Sequence, residues 1–472
     1  VLAIAAAGLF AVAAIVFTFF NPDLADHALR SIIVGLVTLV FVGGAWWLAG
    51  RALRSTAEAI GGLGLLFAVL DVWAFAQLTP AGTSAWWLVA AGTAVAACAF
   101  AIAGRRSGLR VWQAGAVVAL STIPVMLGIA TSTGLGAALG WVGAAYAAAL
   151  ITRALPLLRH PGVRAGHAEA VALEVLQLVS VIISVLLAGW LVATTNVGGM
   201  LPASGVLLLV AGHSMLASRQ RLRALWSFGA GASLVLGPAV AVTGLSLQFL
   251  AGTVWSAALC LLAAVVLLNL IAAILPVPST VQRAPMVIGG LAVLAVASTP
   301  FAGIASLTTL GRFGDGGIGA NDMRFSWVVL VGLLVVSLGL VALSRQAHRA
   351  AEPRKVRAFT AVVASLFGVL ALLFFGSVPL VVLPVRIAVL VSVAAALALA
   401  VRRRYPPLVG PRGVLLVGAH LALVVSVIAS GNDPRVSTLA GIGVLAGLAV
   451  VASAAPSSLR FWHVGFGYAY AL

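Results

Sequence analysis

The chain has 472 residues, 63% of them hydrophobic and only 8% charged, with a formal net charge of +17 and a mean hydropathy of +1.19. That leaves too little polar surface to clothe a soluble globule of this length, so the expected solvent is lipid and the expected partner the lipid bilayer. The positive charge does not point to nucleic acid, because the basic residues sit in short turns between apolar runs and form no continuous soluble face.

Apolar runs of spanning length predict an all-α integral membrane protein with helices near residues 1–20, 31–50, 56–78, 84–104, 111–131, 133–152, 169–193 and 199–217. Eight more are expected near 224–244, 249–275, 285–306, 325–344, 358–376, 379–401, 413–430 and 435–454, which makes about 16 in a single polytopic domain over 1–472. Helix is required because an open strand in lipid leaves its backbone groups unpaired, and barrel strands would alternate in polarity. Val1 already lies inside an apolar run and the chain stops partway through another, at Ala469 to Leu472, which predicts a fragment of a longer product.

Arginine sets the expected orientation. Alternate turns carry Arg51 and Arg54; Arg105, Arg106 and Arg110; Arg153, Arg159 and Arg164; Arg219, Arg221 and Arg223; Arg283; Arg345, Arg349, Arg354, Lys355 and Arg357; Arg402, Arg403, Arg404 and Arg412; and Arg460. Of the basic residues, only Arg30, Arg312, Arg324, Arg386 and Arg435 remain for the opposite side or the membrane. By the positive-inside rule the basic turns and the amino terminus are cytoplasmic. Asp23, Asp26, Asp315, Asp322 and Asp433 all fall in the other turns. Tryptophans read as belts, with Trp46, Trp47, Trp112, Trp226 and Trp462 near the inner face and Trp73, Trp86, Trp87, Trp190, Trp255 and Trp327 toward the outer one. Lys355 is the one lysine among 27 basic residues, a coding bias that points to a GC-rich bacterium and hence to its inner membrane.

The basic turns recur every two helices, so the chain reads as tandem antiparallel hairpins. Thr56-Ala57-Glu58-Ala59 after one turn is matched by His167-Ala168-Glu169-Ala170 after another.

An ionisable group inside a span costs about 2.5 to 3.5 kcal/mol on insertion scales, so each needs a partner, a wet cavity or a short way out. Asp71 lies about seven residues from the outer end of its expected helix, and Arg386 about seven residues into the helix expected from Pro379. Their matched depth predicts that they pair or face one polar cavity in the outer half of the bundle. Glu58 and Glu169 stand at the mouths of helices entering from the cytoplasm, where the helix dipole favours a carboxylate, and Ser55 or Thr56 can cap the first. Glu174 shares a helical face with Gln177, and either lines a cytoplasm-facing pocket or bonds Gln177 and a basic turn. His213 and His420 have no second metal ligand one turn away. Pro124, Pro238, Pro300 and Pro384 would kink or interrupt their helices. Cys98 and Cys260 fall inside apolar helices and form no disulfide framework. No HExxH, GxSxG or Walker lysine occurs, and no cofactor signature is present.

Residues 48–75, LAGRALRSTAEAIGGLGLLFAVLDVWAF, followed by Ala/Leu/Val-rich hairpins, resemble an uncharacterised family of actinobacterial many-pass membrane proteins. Members often carry an amino-terminal zinc ribbon and a helical segment ahead of the spans; this chain shows no ribbon. The resemblance implies a many-pass architecture and supplies no reaction or site residue.

Three functions fit these readings. The first is a transporter or flippase of an envelope lipid or another amphiphile, on the hairpins, the prolines and the Asp71/Arg386 depth. The second is a non-catalytic membrane scaffold that holds a membrane-protein partner, on the scarcity of intramembrane charge. The third is a lipid-linked glycosyltransferase using Asp23 and Asp26 in the first outer turn.

Overall fold

A computed structural model describes residues 27–51, 53–77, 83–158, 167–195, 197–250, 253–274, 280–311, 320–349, 354–377, 383–402, 409–430 and 434–454, together with Thr79. Among the described residues there is no strand, and fifteen helices follow one another in the chain. They are α1 (His27–Gly50), α2 (Arg54–Ala76), α3 (Ala85–Ser107), α4 (Arg110–Ala130), α5 (Gly134–Leu158), α6 (His167–Thr195), α7 (Val197–Ala217) and α8 (Arg223–Leu250). Then come α9 (Thr253–Ile274), α10 (Thr280–Gly311), α11 (Ala320–Arg349), α12 (Arg354–Ser377), α13 (Leu383–Arg402), α14 (Val409–Ser430) and α15 (Pro434–Ala454). The helix expected over 1–20, with Asp23 and Asp26 after it, lies outside the described residues.

Eleven of these helices are long and apolar enough to cross a membrane. The other four, α9, α10, α12 and α14, carry shorter apolar stretches within helices of 22, 32, 24 and 22 residues. The distribution of side chains agrees with a lipid solvent. Leu39, Val40, Val95, Phe249 and Leu439 stand outward, each about 70% exposed or more, whereas Ser121, Gln177, Ser180, Ser184 and Ser227 are fully buried. In water that arrangement would be inverted; in lipid an outward Leu costs nothing, and a hydroxyl is better placed where another helix can bond it. The chain is a multi-pass α-helical membrane protein.

Several helices run past the apolar stretches that announce them. The run expected over 325–344 belongs to a helix from Ala320 to Arg349, and that over 224–244 to one from Arg223 to Leu250. Hydropathy marks the part of a helix that meets hydrocarbon, while backbone hydrogen bonding continues into the headgroup layer. Nor do the prolines end their helices: α4 and α8 continue through Pro124 and Pro238, α10 through Pro300, and Pro384 is the second residue of α13, where its missing N–H costs nothing.

The chain divides into two compact units, Val1–His213 and Ser214–Leu472. In the first, α1 packs on α2, α3 on α4, α4 on α5 and α5 on α6, with α2 also touching α3 and α4. Short turns force these neighbours antiparallel. The α3–α4 turn closes on Gly108, whose φ of 74° is the left-handed conformation that glycine adopts without a Cβ penalty. In the second unit α8 packs on α10 and α9, α9 on α11, α11 on α12, and α12 to α15 form a further layer. Its core runs through Leu333, Val336 and Leu340 of α11 and, beyond Phe374, through Leu390, Ala394 and Leu423. The α8–α10 contact is backbone on backbone: a Cβ on Gly231 would fall on the Met286 carbonyl, and one on Gly289 on the Phe228 carbonyl.

Candidate functional site

The α1–α2 hairpin holds one register along its length. Gly64 lies against Val42, the Phe41 and Phe67 rings stack at 5.3 Å and 6°, and one turn further Asp71 meets Thr38. Thr38 Oγ1 donates to Asp71 Oδ2 at 2.6 Å and also lies 2.9 Å from the Val34 carbonyl, so the carboxyl and the carbonyl compete for one hydroxyl proton. Asp71 Oδ1 faces Gly35, where a Cβ would stand 3.8 Å away, in ordinary contact. From Asp71 to the end of α2 at Ala76 is about 8 Å at 1.5 Å per residue.

On the neighbouring side of α2 lies an apolar groove of about 410 Å³ between α2, α3 and α4. Leu65, Val72, Val89, Phe100 and Met126 are among its walls, and the Trp73 and Trp86 rings, edge to face at 5.9 Å, also line it. Val69, Trp73 and Val118 line it while remaining exposed, so it opens on the lipid-facing surface. Thr122, one of its few polar residues, turns its hydroxyl back to the Ala119 carbonyl at 2.9 Å. Such a surface offers a ligand dispersion and exclusion from polar groups, and no hydrogen bond to steer it.

Glu58 has a role that its position in the sequence hides. The carboxylate stands beyond the first turn of α2 and caps the start of α4 instead: Oε1 accepts from the Arg110 N–H at 2.7 Å and Oε2 from the Val111 N–H at 2.8 Å. A charged acceptor on two otherwise orphaned helix-end donors contributes about 1–3 kcal/mol. Neither Ser55 nor Thr56 caps α2, whose N-cap is Leu53. Trp112, next to the capped amides, is no belt residue. It is fully buried, its indole N–H donates to the Gly61 carbonyl at 3.0 Å, and its ring meets Phe100 at 5.8 Å and Trp46 at 6.3 Å. Trp226 is buried as well. Trp47 does sit outward, with the Arg51 guanidinium 4.2 Å above its ring, as expected of a chain leaving the bilayer.

Glu174 and Gln177 lie on one buried face of α6. Gln177 reaches across to α5, with Nε2 3.5 Å from Thr152 Oγ1. Tyr146 ties α5 to α7 by donating to the Leu209 carbonyl at 2.9 Å, edge to face with His213. Arg386 stands half-buried in the first described turn of α13 and in the second unit, whereas Asp71 is in the first; residues 378–382, from which its depth was expected, lie outside the described residues. Cys98 is exposed on α3 and not buried. Among the described residues no group of three His, Cys, Asp or Glu could hold a metal ion.

The fold and these sites define a class, the multi-pass α-helical membrane protein. No family model, curated protein or solved structure matches the chain.

Proposed function

We propose that the protein binds an envelope lipid or another amphiphile in the groove between α2, α3 and α4 and moves it within the bilayer, as a transporter or flippase would. The groove carries this reading: its volume falls in the range of about 300–1,000 Å³ typical of ligand sites, and its open side is fed directly from lipid. Asp71, held by Thr38 on the α1-facing side of the same helix, is the intramembrane carboxylate that the proposal assigns to the headgroup.

In proteoliposomes the wild type is expected to bring a short-chain fluorescent phospholipid from one leaflet to the other, and to be labelled on α2, α3 and α4 by a phospholipid with a photoreactive acyl tail. Ala119→Trp, which fills the groove, should remove both signals, while Leu39→Trp on the outside of α1 should leave them. Asp71→Asn and Arg386→Gln, alone and together, extend the same assay and test whether these two charges serve one path. Labelling without translocation would favour the scaffold reading, which the backbone-to-backbone packing of Gly231 and Gly289 suits. Labelling spread evenly over all outward faces would remove both. The glycosyltransferase reading rests on Asp23 and Asp26, outside the described residues.

The proposal includes the topology. It has about 16 helices in tandem hairpins, an amino terminus in the cytoplasm and a place in the inner membrane of a bacterium, of the kind the actinobacterial resemblance implies. Single cysteines placed in the Arg51 and Arg106 turns of a chain lacking Cys98 and Cys260 should resist an impermeant thiol reagent in intact cells. One at Thr83, in the opposite turn, should react. The reverse pattern would invert the orientation.

A further inference from the structure

One face of α6 changes character halfway along. Glu169, Leu173, Gln177, Ser180, Ser184, Ala188 and Leu191 follow one another at steps of three and four, so they form a single stripe down the helix. From Leu173 onward every member is buried. Up to Ser184 the stripe is mainly polar, with Glu174 beside it; beyond Ser184 it is apolar. The polar part spans roughly 23 Å from Glu169 to Ser184 at 1.5 Å per residue.

Among the described residues, two polar atoms in that stretch have no hydrogen-bond partner. Gln177 Oε1 and Ser180 Oγ are both buried and both lack a hydrogen bond. The Gln177 amide donates from Nε2 to Thr152, and Ser184 donates to the Ser180 backbone carbonyl at 2.7 Å and not to its hydroxyl. In lipid each such group costs on the order of 1–3 kcal/mol, and a stable protein seldom leaves two side by side unpaid. Side chains three positions apart on a helix are about 5–6 Å apart, the span that one water bridges with two hydrogen bonds. At the Glu169 end a separate cavity of about 20 Å³ lies between Gln113, Leu155 and Glu169, room for one water by the usual criterion of about 10–15 Å³.

We infer that this face of α6 binds a file of water that enters at Glu169, passes Glu174 and bonds Gln177 and Ser180, and ends at Ala188. It forms a half-channel that gives water and small cations access to the middle of the membrane from one side only. Its closed end is the apolar part of the stripe, where no side chain can hold a water against hydrocarbon.

The test uses silver ion, which is small enough to follow a water file and binds thiolate. In the full chain with Cys98 and Cys260 replaced by serine, single variants Ser180→Cys, Ser184→Cys and Ala188→Cys are exposed to silver from either side in oriented vesicles, and the thiols left free are counted with a maleimide after denaturation. Positions 180 and 184 should be protected by silver from the side carrying Glu169 and not from the other, and position 188 from neither. Adding Gln177→Leu to the Ser180→Cys chain should reduce silver protection at least tenfold while the protein elutes as before, since the slightly shorter, apolar leucine removes the groups that hold the water. Protection at neither 180 nor 184 means a dry interface and overturns the inference. Equal protection at 180 and 188 means an open path or local unfolding and overturns it too, as does protection unchanged by Gln177→Leu.

Discussion

Gly140→Leu will leave little or no folded protein, whereas Gly189→Leu, a formally identical change, will be nearly silent. The difference lies in what a Cβ meets. At Gly140 it would stand 2.6 Å from the Pro124 carbonyl oxygen, 3.0 Å from the Gly128 Cα and 3.2 Å from the Val125 Cα, all of them backbone atoms of α4 that cannot rotate away. At Gly189 nothing lies within 4 Å. A Cβ on Gly128 would repeat the contact from the other side, 2.8 Å from the Gly140 Cα, and one on Gly143 would meet the Pro124 ring at 2.8 Å.

Two helices in lipid gain nothing from hiding apolar surface from each other, so their association rests on such close packing. Overpacking a soft site costs about 1–3 kcal/mol. Separating two backbones costs more, a large share of a total stability of about 5–15 kcal/mol. Thermal unfolding followed by fluorescence-detected size exclusion checks this: Gly140→Leu should elute as aggregate or not at all, and Gly189→Leu within about 0.5 kcal/mol of the parent. Equal behaviour of the two would mean that α4 and α5 do not meet at this crossing. Pro124 thus contributes by shape, as the ridge against which Gly143 packs.

Trp112→Ala should cost about 3–5 kcal/mol, the usual price of emptying a buried aromatic site. The ring fills the space among α2, α3 and α4 at the end of the bundle where Glu58 caps α4, and its indole N–H holds the Gly61 carbonyl. A Cβ on Gly61 would lie 3.0 Å from the indole nitrogen, a tight approach that glycine avoids. Trp112→Phe keeps most of the filling and loses the hydrogen bond, so its cost should be smaller by at least half. Trp47→Ala, at an exposed site with one cation–π contact, should cost no more than about 1 kcal/mol. Denaturant unfolding of the four proteins in one detergent gives the ranking. A Trp112 variant no worse than Trp47→Ala would return Trp112 to the interfacial belt.

The groove and the water-bearing face of α6 divide the first unit into a greasy site open to the bilayer and a polar one closed to it. They need not serve one activity. The lipid assay and the silver assay read them separately, so either can fail alone.

How much of this was legible in the sequence varies by residue. Asp71 was marked by its isolation in a hydrophobic run, and its neighbour Thr38 was not, because a threonine in a membrane helix is unremarked until another helix brings an acceptor to it. Glu174 and Gln177 were recognisable as one face, but that Gln177 reaches Thr152 and leaves Oε1 unserved depends on how α5 lies against α6. Glu58 pointed by position to its own helix, and its partners, the amides of Arg110 and Val111, are more than fifty residues away. The apolar groove has no sequence signal at all: its walls are the same Leu, Val and Ala found everywhere in the chain.

The amino-acid sequence by itself determined the solvent, the helical class and the approximate place of each described helix, because the cost of exposing backbone and charge to hydrocarbon is local and additive along the chain. Only the tertiary structure decided which face of each helix is inside. In water an amphipathic stripe announces the buried face, but in lipid both faces are apolar and the inner one is told apart by small residues and hydroxyls. Trp112, Gly140 and Ser180 acquire their meaning from the helix that packs against them.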